Sequence, residues 1–416
     1  MYDVNILQPV TLEREINSND LPIIVIGTGS VGVRFVHELL HLQPSIKIKV
    51  FGGEEQQPYS RENLSKMLAG DLTEDALHAG SRLPASRGIE TFLNNPITKI
   101  DKILNIATDS HGVEHHYKNL VLAVGSAPRM LKVEGNDLDN VFTFRDVHDA
   151  ELLKSRQTAS RRTVVIGGGL VGLDVAYAMT NHNTQVTVIE NSSRLMYHQL
   201  DDHASVYLRL YLDDLGIDVH KQTKVTRIEG KKSVEGVVLD DGEIIPCDTV
   251  IISIGINPRL DLARQLGLKV NRGIVINDRL QTSNASIYAI GECAEHRGRY
   301  YGLVKPGFEQ AEVLAKIFSG KTTRYKGSTT MSQLKVIEYP ILSIGDNGEG
   351  ALSNKEIMYR DIKKMVYRKL VLNKGHLQGV VAAGPWKNSE DLHAMVENKK
   401  YIWPWQRSRF SRTGQL

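Results

Sequence analysis

Residues 163–190, TVVIGGGLVGLDVAYAMTNHNTQVTVIE, decide the fold. An apolar β-branched run over 163–166 feeds a turn holding Gly167, Gly169 and Gly172; an amphipathic segment follows, and a second apolar run over 186–189 ends at Glu190. Strand, glycine turn, helix and strand closing on an acid make a complete βαβ dinucleotide-binding fingerprint. Gly167 permits the tight turn, Gly169 lets the backbone approach a pyrophosphate, and Gly172 lets helix and strand pack closely. The helix start that follows, at Leu170 and Val171, offers unpaired N–H groups to an anion. Glu190 can accept hydrogen bonds from both ribose hydroxyls and would repel a 2′-phosphate, which favours NADH over NADPH.

The motif occurs twice. Residues 23–26 form an apolar run, Gly27, Gly29 and Gly32 repeat the turn, residues 33–42 read as a helix, and 46–51 return as a strand. Glu54 stands about 20 residues beyond the turn, where a ribose-binding acid belongs. Two nucleotide folds on one polypeptide imply two nucleotides, one resident and one exchangeable.

A chain of 416 residues accommodates two or three domains, and 41% hydrophobic with 24% charged residues is ordinary for a globular protein. No apolar run approaches the roughly 20 residues needed to span a bilayer, and residues 1–20 are acidic and polar rather than a signal peptide, so a cytoplasmic location is expected. The two cysteines, Cys247 and Cys293, lie far apart, which excludes disulfide scaffolds, four-cysteine iron–sulfur or zinc sites, and a CxxC or CxxxxC redox pair. Cys247 reads as a small buried residue at the start of an apolar strand. Charge is uneven: residues 355–416 hold 13 Lys and Arg against 5 Asp and Glu, on a chain of net charge +3. That excess reads either as an attraction for an acidic partner or as a solvated face.

Between the fingerprints, QQPYSRENLSKMLAGD carries Arg61 and Lys66 ahead of a new helix. Residues 88–122 and 215–247 alternate apolar and polar positions, as short antiparallel strands do. Each meander runs into a glycine turn, Gly125 followed by Ser126, Ala127 and Pro128, then Gly255 followed by Ile256, Asn257 and Pro258. Residues 287–290 form a short strand before Gly291 and Glu292, and 306–318 read as a helix with Pro306 near its first turn. Beyond Gly320 strands are expected over 334–344 and 365–372.

Together PYSRENLSK, LVLAVGSAP, the nested glycine turns, TSNASIYAIGECAEHRG and KPGFEQA resemble the two-dinucleotide-binding flavoproteins of the pyridine nucleotide oxidoreductase family. Within it they are most similar to rubredoxin reductases and the flavin-binding front portion of nitrite reductase large subunits. The resemblance implies an α/β fold of two Rossmann-like domains, with an NAD domain (146–250) inserted in an FAD domain (1–145 and 251–325), and a small α+β interface domain (326–416). It implies FAD on Gly27, Thr28, Gly29, Ser30, Gly32 and Glu54, with Arg61, Gly125, Gly291 and Glu292 against it. Glu292 stands where most relatives have Asp and would hold the ribityl chain. Lys305 and Pro306 would bring a positive helix end to the flavin pyrimidine ring. NADH falls on Gly167, Gly169, Leu170, Val171, Gly172, Glu190 and Gly255. Lys66 matches a lysine close to flavin N5, and Asp174 a carboxylate beside it, one methylene shorter than the usual Glu.

The implied activity is NADH-dependent reduction of FAD, with electrons passed to an acidic carrier protein such as rubredoxin or to a sirohaem nitrite reductase component. A thiol-dependent oxidase or peroxidase is disfavoured because residues 65–70 contain no cysteine. A signalling flavoprotein that uses NADH to switch conformation is the alternative of a different class. Nucleic-acid binding has no motif to support it. A type II NADH dehydrogenase would need membrane attachment, for which Tyr401, Trp403, Trp405 and the flanking basic residues offer an interfacial anchor, but Pro404 speaks against an amphipathic helix there; otherwise these aromatics pack on the last domain or form a docking surface. No metal site is expected, and an oligomer is compatible with the sequence.

Overall fold

The computed structural model describes residues 21–334, 338–349, 355–386 and 388–416; the reading of residues 1–20 lies outside them. Each glycine motif sits at the centre of a five-stranded sheet. In the first, Ile287–Ala289, Asn119–Leu122, Ile23–Ile26, Ile48–Phe51 and Ile89–Phe92 lie side by side, all parallel. In the second the order is Ile217–Lys221, Gln185–Glu190, Arg162–Ile166, Thr249–Ile252 and Val141–Thr143, again parallel. Parallel strands covered on both faces are apolar throughout, and Ile24, Val25, Val165 and Val188 are fully buried. Each such side chain contributes roughly 1.5–3 kcal/mol over leaving it exposed.

Each parallel sheet carries a three-stranded antiparallel meander, Ile97–Asp101, Ile106–Asp109 and Glu114–His116 on the first, and Val225–Gly230, Val234–Leu239 and Ile244–Pro246 on the second. Alternation alone assigns 88–122 and 215–247 wholly to such meanders. The strands at their ends instead join the parallel sheets, because Ile89, Asn119 and Ile217 find partners there. The first fingerprint helix begins at Ser30, three residues ahead of the apolar pattern, since Gly29 serves as its N-cap. Strands Val141–Thr143 and Thr249–Ile252 pair in the second sheet, so it extends past both limits of 146–250.

The chain passes between the two units twice. Ser126–Pro128 and Ile256–Pro258, which carry these crossings, pair antiparallel with each other.

The last unit is an antiparallel sheet in the order Met331–Gln333, Ile341–Gly345, His376–Ala383, Val366–Asn373 and Lys355–Asp361. The single strand expected over 334–344 is replaced by Met331–Gln333 and Ile341–Gly345, separated in part by Pro340, which has no N–H for a ladder; residues 335–337 lie outside the described set. One face packs on helix Asp202–Asp214, where Tyr207 stacks on Tyr367 at 6.0 Å. There the Lys369 ammonium, 2% exposed, lies 2.6 Å from Asp201, which also accepts a 2.6 Å hydrogen bond from the Tyr367 hydroxyl. Asp201 caps helix Asp202–Asp214, so this buried pair joins the second unit to the last sheet. The other face is covered by helices Ser389–Glu397 and Pro404–Thr413. The second of these corrects the reading of Pro404. Proline stands at the first helical position, where a missing N–H costs nothing, and so starts the helix instead of breaking it.

Candidate cofactor site

Both turns are held in the same way. Gly27 has φ +122° and a Cβ there would meet the Ala123 carbonyl oxygen at 2.2 Å; Gly167 has φ +115° and would meet that of Ser253 at 2.2 Å. A Cβ on Gly32 or Gly172 would strike the carbonyl oxygen of Gly27 or Gly167, at 2.2 and 2.0 Å. Gly29 and Gly169 have nothing within 4 Å of a Cβ position, and they cap helices Ser30–Leu42 and Leu170–Met179. Each turn thus presents a helix N-terminus whose second glycine faces open space, the cradle an anionic group requires. Gly255 and Gly125 occupy matching bends, with φ +102° and +63°.

The acids differ. The Glu190 carboxylate accepts hydrogen bonds from the Gly168 N–H at 2.8 Å and the Ser192 N–H at 2.6 Å, so it is fastened to its own turn. The first unit has no acid at that place: Gly27 bonds to Phe51 as Gly167 does to Ile189, which makes Gly52 the register equivalent of Glu190. A Cβ on Gly52 would lie 2.5 Å from the Thr28 hydroxyl. Glu54, two residues further on, accepts from the Tyr59 hydroxyl at 2.7 Å and pairs with Arg61. Burial works to raise the Glu54 carboxyl, but Arg61 and Tyr59 outweigh it and hold it below the usual carboxylate range. Ser30, in the turn, donates to Glu62 at 2.8 Å.

Glu292 is drawn into a second knot. One of its oxygens accepts from the Ser126 hydroxyl at 2.7 Å and from Arg145 at 2.5 Å, while the Arg145 carbonyl accepts from Arg61 at 3.3 Å. Arg145 was missed by sequence reading: it lies in no motif and meets Glu292 across 147 residues. Its Nε and the Tyr300 hydroxyl are both buried without a hydrogen-bond partner. Burial, with the charge of Glu292, pushes Tyr300 up to about 12. The Gly291 N–H donates to Gln310 at 2.7 Å. Gly291 and Gly307 both crowd Val31, so the helix Val304–Phe318 runs close against Ser30–Leu42.

The remaining expected residues are placed as follows. Lys66 lies on helix Leu64–Ala69, and the bond from that helix to the buried Asp174 comes from Ser65, at 3.3 Å. Val171 is exposed at the start of its helix, and Leu170 precedes it partly buried. Pro306 is buried in the first turn of Val304–Phe318, and Lys305 reaches Glu390 of helix Ser389–Glu397 at 3.4 Å. Both cysteines are buried and free, and burial pushes their thiols up to about 12 for Cys247 and about 11 for Cys293. They lie in different units, so they form no redox pair with each other.

Two parallel-sheet units with glycine-turn cradles, followed by an antiparallel sheet, make the fold of the two-dinucleotide-binding flavoproteins. The chain belongs to the pyridine nucleotide-disulphide oxidoreductase family, which residues 21–314 match, and residues 331–400 match the rubredoxin NAD+ reductase C-terminal domain. It is 35% identical over 384 residues to a nitrite reductase [NAD(P)H] of Bacillus subtilis (strain 168), covering 91% of this chain and 48% of that protein. It is 34% identical over 312 residues to a rubredoxin-NAD(+) reductase of Ectopseudomonas oleovorans, covering 73% of this chain and 81% of the other. The chain spans about half the length of the nitrite reductases of Bacillus subtilis and Escherichia coli that it matches, 48% and 45%. Among solved structures, a covalent putidaredoxin reductase–putidaredoxin complex is similar with a TM-score of 0.85 at 26% identity, over 94% of this chain and 96% of the other. Among the described residues no helix is long and apolar enough to cross a membrane.

Proposed function

We propose that this chain is an NADH-dependent FAD oxidoreductase that delivers electrons to a carrier protein of the rubredoxin kind. One observation carries the reading: the second cradle ends in Glu190, while both thiols are buried and held neutral, which leaves no thiol acceptor among the described residues. FAD, when bound, takes up a hydride from NADH and can release the two electrons one at a time.

In this reading Gly27, Thr28, Gly29, Ser30 and Gly32 receive the FAD pyrophosphate, with Glu54 and Arg61 beside the ribose. Arg145 and Ser126 hold Glu292 toward the ribityl chain, and the partnerless Arg145 Nε and Tyr300 hydroxyl supply further donors there. Gly125, Gly291 and Pro306 line the flavin, and Lys305 keeps positive charge at its pyrimidine edge. Lys66 would stand near N5, on the helix whose Ser65 bonds Asp174. Gly167, Gly169, Leu170, Val171, Gly172 and Gly255 receive NADH, and Glu190 selects the free ribose hydroxyls. The FAD unit is residues 1–145 with 251–325, the NAD unit 146–250 and the interface unit 326–416, strands Val141–Thr143 and Thr249–Ile252 marking where the NAD sheet reaches across these limits. The protein works in the cytoplasm.

The test is anaerobic stopped-flow on FAD-loaded protein: NADH bleaches the flavin, and oxidised rubredoxin then restores it. Fast bleaching without transfer to rubredoxin removes the carrier reading. A second reading, the electron-entry component of a nitrite-reducing enzyme, rests on the nitrite reductase match, which reaches 91% of the chain against 73% for the rubredoxin reductase. It would then take the lead.

A further inference from the structure

Residues 401–416 lie beyond both matched regions, which end at 314 and 400. They are nonetheless firmly built. Phe410 is fully buried against Trp386, with ring centroids 6.0 Å apart, and Gly414 closes helix Pro404–Thr413 at φ +67° over the Tyr359 ring. The Gly414 carbonyl accepts a 2.8 Å bond from Arg368. At the other end the Gln406 side chain accepts from the Trp403 N–H at 2.9 Å.

What this pinned helix turns outward is unusual for a surface. Trp405, Arg409 and Arg412 stand at i, i+4 and i+7, on one stripe. Trp405 is 63% exposed and Trp403, just ahead of the helix, 56%. Trp403 meets Tyr401 edge-on at 5.0 Å, Tyr401 meets His376 at 5.3 Å, and the Arg407 guanidinium lies 5.4 Å from the Tyr401 ring. Residues 398–416 contain five Lys and Arg and no Asp or Glu. Large aromatic rings and arginines are the residue types that dominate protein interfaces, and a segment with no acid for 19 residues is complementary to a negative surface.

We propose that Tyr401, Trp403, Trp405, Arg409 and Arg412 form the docking ridge for an acidic protein, the electron acceptor of the preceding reading, on which this inference rests. A membrane surface fits less well, because an interfacial helix turns its apolar side outward, whereas Phe410 faces the protein core here. The ridge anchors the partner and is not the port through which electrons leave. Helix Pro404–Thr413 packs on the edge strand Lys355–Asp361, while helix Ser389–Glu397, which carries Glu390 to Lys305, packs on Ile341–Gly345 and His376–Ala383. Loss of the ridge therefore weakens association and leaves electron transfer within the bound complex intact.

The test uses the FAD-loaded full chain with the double variants W403A/W405A and R409E/R412E, assayed with NADH and increasing oxidised rubredoxin. Bleaching of the flavin by NADH, and turnover with ferricyanide, should match the wild type, which also shows that the variants fold. The KM for rubredoxin should rise about tenfold or more in both variants with kcat unchanged, and the charge reversal should abolish most of the salt dependence. An unchanged KM in both variants overturns the ridge while the carrier reading stands. If the wild type reduces ferricyanide but never rubredoxin, the carrier reading fails and the ridge falls with it. Binding of the wild type to phosphatidylserine-containing vesicles, lost in W403A/W405A while the KM for rubredoxin stays unchanged, would reassign the surface to a membrane.

Discussion

The two glycine-turn units share a backbone plan down to the contacts of individual carbonyl oxygens, yet they treat their acids in opposite ways. In the second unit Glu190 closes its strand and is fastened by two backbone N–H groups of its own motif. In the first, Gly52 takes that place against Thr28, and the acid has moved to Glu54, where a tyrosine and an arginine from the following segment grip it. A carboxylate held by backbone N–H groups stays open to further donors, as an exchanging ribose needs. One gripped by neighbouring side chains becomes part of a wall, as suits a cofactor that stays. The two units share one cradle, and in the proposed function the surroundings of the acid separate a resident from a visitor.

That contrast can be broken most forcefully at the first glycine of each turn. Gly27→Ala and Gly167→Ala both drive a methyl to 2.2 Å from a carbonyl oxygen at strongly positive φ. Gly27→Ala should purify without flavin. Gly167→Ala should keep its flavin spectrum but lose more than about 100-fold in kcat/KM for NADH, because the pyrophosphate no longer seats. Flavin loss in both would mean that the units do not divide the cofactors.

Glu190→Gln should follow in size. Exchanging a charged acceptor for a neutral amide raises the KM for NADH by roughly 10- to 100-fold, and it should narrow the preference over NADPH. Steady-state kinetics with both nucleotides decide this. Glu54→Gln should do less. Its ion pair with Arg61 is partly exposed, with side chains 35% and 24% accessible, and such pairs contribute about 0.2–1 kcal/mol. A flavin dissociation constant within about fivefold of the wild type is the expected result, and complete flavin loss would place Glu54 on the same footing as Glu190.

The smallest effect concerns the thiols. Both are neutral at pH 8, since burial pushes them up to about 12 and about 11. The thiolate forms only as pH rises toward those values, so a thiol reagent at pH 8 should label neither cysteine in the native protein and both in denaturant. NADH-driven turnover should be unchanged after such treatment. Inhibition under native conditions would revive a thiol in the reaction.

Much of this was visible in the sequence wherever a local spacing carries the physics. Glycines at fixed offsets after a β-branched run, and an acid at a strand end, read directly. Pairs formed across the fold did not. Arg145 and Glu292, or Lys369 and Asp201, are ordinary charged residues until tertiary packing brings them together. Glu54 was placed by counting residues, and only register revealed Gly52 as the counterpart of Glu190. Pro404 misled because a proline's effect depends on its position within a helix, which composition does not give.

The paired crossings, Ser126–Pro128 against Ile256–Pro258, carry a mechanical consequence. A single tether would let the two halves swivel freely. Two tethers laced together by hydrogen bonds behave as a strap hinge: they permit flexing about one line and resist torsion and sliding. In the proposed function such a strap would let the two cradles part for nucleotide exchange and return to the same alignment, with no clamp required to restore it.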